Sequence, residues 1–358
     1  MRVVSLFIHA SNITGLGASQ VVGSLVDAIL RLNQVKKMNV ALVLPDQGSL
    51  SKFRTEDPCS CIHVKRWLPN SVSRLIECLF PQWYYETVDR TLILGDIPLR
   101  GIKNQVVLVH QSNLIKPSIS AHSSVALNFR IMRSLFGWNL KYVQCVIVQS
   151  DIMKQQLISS YPALCGRIEV VPQPAPEWFR NVETDQKKAH NGLNLFYPAA
   201  GYPHKNHRLI AKLTGTETFK RLNIYFLLTL HQNEFDRYAF AEKNIRNLGR
   251  LTPNECLQTY AQVDALFFPS LAESYGLPLV EAMLVGLPIV CIDLPYARWM
   301  CENEAIYFSL EDDDSVYAAL IELQSRLASG WKPDWREALK KLPKSWNDVA
   351  QKFMDHLL

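Results

Sequence analysis

The chain has no apolar run approaching the ~20 residues that cross a bilayer, so a membrane-spanning helix is not expected. Glycine (15 of 358 residues) and proline (19) are too sparse for a collagen or a low-complexity linker protein. Only 20% of residues are charged and 48% are hydrophobic, a globular balance that excludes a disordered chain. The eight cysteines are scattered, and several, such as Cys145 and Cys291, sit inside apolar runs. They read as buried thiols, not a disulfide framework. Cys59, Cys61 and His63 lack the second ligand pair that a metal site needs. No zinc spacing, P-loop, nucleophile elbow or nucleic-acid module occurs. The opening MRVVSLFIHASN has no small-residue cleavage site and reads as a buried strand, not a signal peptide. A cytoplasmic protein is therefore expected.

What remains is ample chain for about two domains. Val/Ile/Leu-rich runs recur at 3–10, 39–45, 91–96, 105–110, 142–150 and 167–174. They are nearly continuous, as parallel strands covered on both faces are. Helical stretches at 19–34 and 150–161 fall between them, the second with Ser150 and Asp151 as cap. A Pro-rich, polar stretch at 172–192 reads as a linker. A second α/β series follows, with strands at 193–199, 222–230, 245–250, 265–270, 287–293 and 304–310. Thr252, Pro253 and Glu255 mark one helix start. The expectation is an α/β chain of two Rossmann-like halves, residues 1–185 and 186–332, facing each other across a cleft. Residues 333–358 read as an amphipathic helix with Trp335, Trp346, Phe353 and Leu357.

The basic residues are uneven. Residues 1–185 hold 19 Lys/Arg against 13 Asp/Glu, and residues 186–358 hold 19 against 20. A basic first half suits phosphates or an anionic membrane surface, though a plain surface excess explains it equally. The stretch 126–143, with Arg130, Arg133, Lys141, Phe129, Leu135, Phe136 and Trp138, is apolar and basic enough to rest on a membrane. Lys116, Trp83, Tyr84 and Tyr85 would add to that face. A core helix with solvated charges is the plainer reading.

The strongest signal is FFPSLAESYGLPLVEAMLVGLPIVCID at 267–293. A buried strand ends at Pro269–Ser270, a loop carries Glu273 and Gly276, and a helix starts near Pro278. Unpaired amides and the helix dipole make that start an anion site suited to a diphosphate. Glu273 and Glu281, eight apart, are unsuited to phosphate but suited to accepting from hydroxyls of a sugar and a ribose. An ordinary helix with Glu near its N-terminus is the bland alternative.

This stretch resembles the E-x7-E signature of retaining glycosyltransferases of the GT-B fold, glycosyltransferase family 4 in particular. The match runs through Glu273, Ser274, Tyr275, Gly276, Leu277, Pro278, Glu281, Ala282, Met283, Gly286 and Pro288. It covers residues 193–310 well and the first half in outline. The resemblance implies that Glu273 holds donor-sugar hydroxyls and Glu281 the ribose. Amides of Tyr275, Gly276 and Leu277, with Ser274 beside them, would meet the diphosphate or sugar. The base would lie at Gly249, Arg250 and Leu251. Lys205 matches the family's diphosphate lysine, while Ala200 or Gly201 stands where the family has arginine. His204, Asn206 or Arg208 are candidates to make up that charge.

In the first half, Gly15 and Gly17 match the place of a Gly-rich loop near the diphosphate. His110 matches the active-site histidine, with Gln111 and Asn113 as acceptor-orienting neighbours. Asp96 and Ser150 stand at further strand ends. Only Asp46 follows the second strand, so a dinucleotide dehydrogenase is not expected. By resemblance the last helix crosses back to the first domain. The implied reaction moves a sugar from a nucleotide diphosphate sugar to a saccharide or lipid-linked acceptor, with retention and without metal or other cofactor. Polysaccharide assembly and peripheral contact with the inner membrane face fit it, and nucleic acid is not an expected partner. An inverting transferase, a sugar-nucleotide epimerase and a non-catalytic sugar-nucleotide scaffold remain alternatives.

Overall fold

A computed structural model describes residues 5–36, 38–55, 59–65, 70–80, 89–115, 124–179, 192–238, 240 and 242–358. The chain divides into two compact units, Met1–Pro176 with Pro343–Leu358, and Glu177–Leu342. The boundary drawn from sequence at 185/186 lies outside the described residues, as do Trp83, Tyr84, Tyr85 and Lys116.

The first unit is built on a parallel sheet. Its strands are β1 (Ser5–His9), β2 (Asn39–Pro45), β3 (Ser60–Val64), β4 (Arg90–Ile93), β5 (Gln105–Leu108), β6 (Val143–Val148) and β7 (Ile168–Val170). They run in the order β3-β2-β1-β4-β5-β6-β7. Ile8 of β1 pairs with Leu42 on one side and Leu92 on the other, and all three are fully buried. Each such side chain contributes about 1.5–3 kcal/mol by leaving water, which is why the runs are apolar at successive positions and do not alternate. Helices α1 (Leu16–Lys36), α2 (Asn70–Leu79), α3 (Ser124–Asn139) and α4 (Asp151–Ser160) connect them. Ser150 caps α4 by accepting from the Met153 amide at 3.3 Å. The edge strand β3 has no continuous apolar run and is only half buried, so periodicity did not mark it.

The second unit repeats the plan. Its strands are β8 (Leu193–Tyr197), β9 (Ile224–Leu228), β10 (Ile245–Asn247), β11 (Ala265–Phe268), β12 (Ile289–Ile292) and β13 (Ile306–Phe308), ordered β10-β9-β8-β11-β12-β13. Its helices are α5 (His207–Thr214), α6 (Glu217–Lys220), α7 (Gln232–Phe235), α8 (Pro253–Gln262), α9 (Leu277–Leu284), α10 (Pro295–Cys301), α11 (Asp313–Ala328) and α12 (Arg336–Lys340). The expected start of α8 is a capping box. Thr252 Oγ1 accepts from the Glu255 amide at 3.3 Å, and Glu255 Oε2 accepts from the Thr252 amide at 2.8 Å.

The segment 333–358, read as one helix, is two. Trp335 donates to the Leu287 carbonyl at 3.0 Å and belongs with α12 in the second unit. After Pro343 the chain is back in the first unit as α13 (Trp346–Leu357), which packs on α1. The Trp346 indole, fully buried, donates to the Ala175 carbonyl at 2.9 Å. Pro343 breaks the helical run because it cannot continue the hydrogen-bond ladder.

Candidate active site

An open parallel sheet binds ligands beyond the carboxyl ends of its strands, where strand order reverses. In the second unit that point lies between β8 and β11, which are neighbours in the sheet. The loop after β8 carries Lys205, and the loop after β11 carries Glu273. The two side chains meet: Lys205 Nζ donates to Glu273 Oε1 at 2.5 Å, with both groups mostly shielded from water (17% and 11% exposed). The backbone under them is tied down. Tyr197 Oη donates to the Lys205 carbonyl at 2.7 Å. The His204 carbonyl accepts from the Leu271 amide at 2.7 Å and from Ser270 Oγ at 3.3 Å. Tyr296 Oη donates to the Ser270 carbonyl at 2.5 Å. The two loops are therefore one rigid edge.

Three residues past Glu273 the chain enters α9. Gly276 is its N-cap residue at φ 91°, and a Cβ there would press on Leu279 Cδ1 at 3.0 Å. Only glycine suits this turn. Tyr275 is buried, with its ring 6.1 Å from that of Trp299, and Ser274 and Leu277 are half-buried. The Leu279 amide donates to the Gly276 carbonyl at 2.9 Å and Pro278 has no amide hydrogen, so the helix start presents the Gly276 and Leu277 amides at the positive end of the dipole.

Glu281 lies one turn further and is almost fully buried. Tyr260 Oη, from α8, donates to its Oε2 at 2.8 Å. Burial pushes the Glu281 carboxyl up to about 7, and the tyrosine hydrogen bond holds it back from rising further. Tyr260 is the residue that motif reading missed. It lies 21 positions upstream, and only the β11 strand between α8 and α9 brings the two together. At the end of β10, Asn247 Oδ1 accepts from the Leu230 and Gly249 amides at 3.1 and 3.4 Å. Gly249 turns at φ 71°, Arg250 is exposed and Leu251 is half-buried.

Two histidines stand near Ala200–Gly201, where the resemblance calls for an arginine. His207 is fully buried and its Nε2 lies 3.1 Å from the Ala200 carbonyl. Burial pulls its basicity down to about 4. Burial and the neighbouring Lys205 lower that of His204 as well, and its ring stacks on Tyr202. Asn206 makes the left-handed turn into α5 at φ 57°, and Arg208 is exposed. Asp312, in the acidic run before α11, caps that helix by accepting from the Asp314 amide at 2.9 Å.

In the first unit the reversal lies between β1 and β4. Gly15 and Gly17 form the start of α1, and a Cβ on either would meet nothing within 4 Å. His9, fully buried at the end of β1, lies 2.7 Å from Glu77 Oε1, which also accepts from Ser11 Oγ at 2.5 Å. Asp96, buried in a left-handed turn (φ 67°), accepts from the His110 and Gln111 amides at 2.8 and 3.1 Å. Its Oδ1 is 3.6 Å from His110 Nδ1. Asp96 is thus the anchor of the loop on which His110, Gln111 and Asn113 stand. Arg133, in the stretch read as a core helix with solvated charges or as a membrane-resting face, donates to the Asn113 carbonyl at 2.9 Å. Cys61 Sγ is 3.9 Å from His63 Nδ1, and no group of three or more His, Cys, Asp or Glu gathers to hold a metal among the described residues.

Comparison with known proteins agrees with the motif. Residues 218–326 match the model of the family glycosyl transferases group 1. The O-antigen chain mannosyltransferase RfbU of Salmonella typhimurium is 24% identical over 234 residues, 64% of this chain. The match takes in 62% of that relative's length, so the chain spans less than two thirds of it. Among solved structures, WaaG, a glycosyltransferase involved in lipopolysaccharide biosynthesis, superposes with a TM-score of 0.68 at 14% identity, covering 99% of both chains. HepE of Anabaena, solved with UDP and glucose, gives 0.57 at 14% identity over 98% of this chain and 95% of its own. The two-sheet α/β architecture is that of the GT-B glycosyltransferases.

Proposed function

We propose that this protein is a retaining glycosyltransferase that moves a sugar from a nucleotide diphosphate sugar to a saccharide or lipid-linked saccharide. The observation that carries the reading is the meeting of Lys205 and Glu273 at the second sheet's reversal point, ahead of a glycine-capped helix that buries Glu281. In this reading Glu281 accepts from the ribose and Glu273 from hydroxyls of the donor sugar. The amides at Tyr275–Leu277 and the Lys205 ammonium meet the diphosphate. The anomeric carbon loses its bond to the diphosphate oxygen and gains one to the acceptor oxygen on the same face. The acceptor proton passes to the departing diphosphate. Lys205 and the helix dipole stabilise the charge that builds on that leaving group, so the reading requires no metal. Gly249, Arg250 and Leu251 flank the base.

On the first unit, Gly15 and Gly17 leave room for close backbone approach, and His110 with Gln111 and Asn113 orients hydroxyls. The relatives favour mannose as the sugar and O-antigen assembly as the setting. The acceptor side rests on an anionic lipid surface at the cytoplasmic face. Exposed Val72 and Ile76 fall four apart on α2, exposed Phe80 follows directly after it, exposed Ile131 and Trp138 lie on α3, and the two helices pack together. Arg130 and Lys141 are exposed beside them, and no acidic residue occurs from 124 to 142. That combination of apolar stripe and basic rim suits anionic headgroups. Among the described residues no helix is long and apolar enough to cross a membrane.

The test is a sugar-nucleotide screen by thermal shift on the full chain, starting with GDP-mannose and UDP-glucose. It is followed by transfer to saccharide acceptors and NMR of the product's anomeric configuration. Retained configuration with release of nucleoside diphosphate supports the reading. Inversion, epimerisation, or tight binding without turnover overturns it in favour of the other GT-B activities or a scaffold.

A further inference from the structure

We propose that Tyr260 is a positioning residue of the donor site: its hydroxyl holds one oxygen of Glu281 and so sets the direction in which the carboxylate faces a ribose. The inference rests on the donor-site reading of Glu281 above. Three observations carry it.

First, the hydrogen bond is specific. Tyr260 Oη donates to Glu281 Oε2 at 2.8 Å, with both residues nearly out of water. A carboxylate has about four acceptor sites, so the bond leaves most of its capacity, including the whole of Oε1, for a diol.

Second, the tyrosine cannot drift. Its ring stands edge-on to Phe196 at 5.0 Å and to Phe179 at 5.5 Å, with interplanar angles of 86° and 85°. Phe196 lies on β8, the strand whose loop carries Lys205. Phe179 lies at the start of the second unit and packs edge-on against Trp178 at 5.4 Å. Held on both sides, the phenol points one way only. A free glutamate would instead lose side-chain entropy each time it bound a nucleotide.

Third, the bond decides the charge of Glu281. Burial drives the carboxyl up to about 7, and the Tyr260 hydroxyl opposes that rise. Among the described residues the other titratable group facing it is Cys256, also on α8, a thiol that burial and Glu281 keep protonated. Both groups come from α8, so that helix supplies the polar environment of the carboxylate. Ionised Glu281 accepts from both ribose hydroxyls, whereas the protonated form has one oxygen occupied as a donor.

The experiment measures the affinity of the full chain for GDP-mannose, or for UDP-glucose should the screen favour uridine, between pH 6 and 9. A sugar nucleotide is the right probe because its diphosphate bridge has no proton that titrates near neutrality. Wild type, Tyr260→Phe and Glu281→Gln are compared. Wild-type affinity is expected to rise with pH around a midpoint near 7. Tyr260→Phe keeps the ring packing but removes the donor. Its midpoint moves up by about one pH unit, and its affinity at pH 7 falls about fivefold to tenfold. Affinity returns toward wild type at pH 9. Glu281→Gln binds weakly with no midpoint.

A uniform loss in Tyr260→Phe with an unmoved midpoint would mean that the tyrosine only packs, and the inference falls. An unchanged affinity and midpoint overturns it equally. If Glu281→Gln binds like wild type, or wild type binds no sugar nucleotide, the donor-site reading of Glu281 fails and the inference with it. A carboxyl 13C titration of Glu281, assigned by its loss in Glu281→Gln, separates the cases. It needs no ligand, and an unshifted Glu281 midpoint in Tyr260→Phe disproves the hold itself.

Discussion

The reversal points of the two sheets spend their polar side chains in opposite ways. In the second unit, Lys205 and Glu273 face each other side chain to side chain at 2.5 Å. In the first, Asp96 gives its carboxylate to the backbone amides of His110 and Gln111. An ion pair between side chains exchanges partners with a ligand at the cost of one contact. A carboxylate that holds two backbone amides cannot leave without unmaking the loop. In these two contacts, one unit pairs side chains that a ligand could part, while the other commits the Asp96 carboxylate to fixing a backbone platform.

The largest effect that sharpens this contrast is at Lys205. Lys205→Ala is expected to cut kcat about 100- to 1000-fold, because leaving-group charge then lacks its only cationic partner in the β8 loop. Donor affinity is expected to fall by only about tenfold, since helix amides still hold the diphosphate. Steady-state kinetics with a direct binding measurement separates the two. Equal losses in both would make Lys205 a mere anchor and blur the comparison.

His110 tests the other side. His110→Ala is expected to lower transfer about 10- to 100-fold while sugar-nucleotide affinity stays within twofold. The Asp96 clamp binds the backbone and survives the substitution, so circular dichroism and melting should be unchanged. Near-normal turnover removes His110 from the site.

Glu281 breaks the symmetry in a further way, because it is costly to keep ionised. Its carboxyl sits at about 7 in the folded chain against an ordinary 4.5. Between those values the folded state holds a proton that the unfolded state releases. Stability from this group is therefore fully present below 4.5 and lost as pH rises through 7, by about 3 kcal/mol in all. Glu281→Gln is expected to bind the donor about tenfold more weakly at pH 8, yet to melt higher than wild type there. The melting difference should shrink toward pH 5. A difference that is flat with pH would mean that Glu281 is not buried as an acid.

How much of this was legible follows the same divide. Glu273, Gly276 and Glu281 lie within nine residues, so one strand–loop–helix places them and a motif exposes them. The apolar runs of β1, β2, β5 and β6 stood out because central parallel strands are buried on both faces. Tyr260 and Glu77 were harder, and Asp96 stood out only as a strand-end position, without its role. Tyr260 reaches Glu281 across 21 positions, Glu77 reaches His9 across 68, and Asp96 turns through a left-handed conformation that no local pattern announces. Such pairings exist only once the sheet order is known. Arg133 shows the converse, since it stood in a stretch read for solvated or membrane-resting charges and the fold gave it a carbonyl.

The smallest expected effect concerns the outer face of the first unit, where α2 and α3 leave apolar side chains in water. Trp138 is 68% exposed and Phe80 58%, the two most exposed large apolar groups among the described residues. An interfacial helix face would bury such groups at headgroup depth. Trp138→Ser is expected to weaken binding to phosphatidylglycerol vesicles about threefold to tenfold in a flotation assay, and Arg130→Gln about threefold, the latter only at low salt. Neither should alter transfer to a soluble saccharide acceptor, because neither residue belongs to the Asp96 platform. Binding to neutral phosphatidylcholine as strong as to the anionic vesicles would remove the charge argument. Binding to neither would leave the α2–α3 stripe without a lipid partner, and the basic first half would then be a plain surface excess.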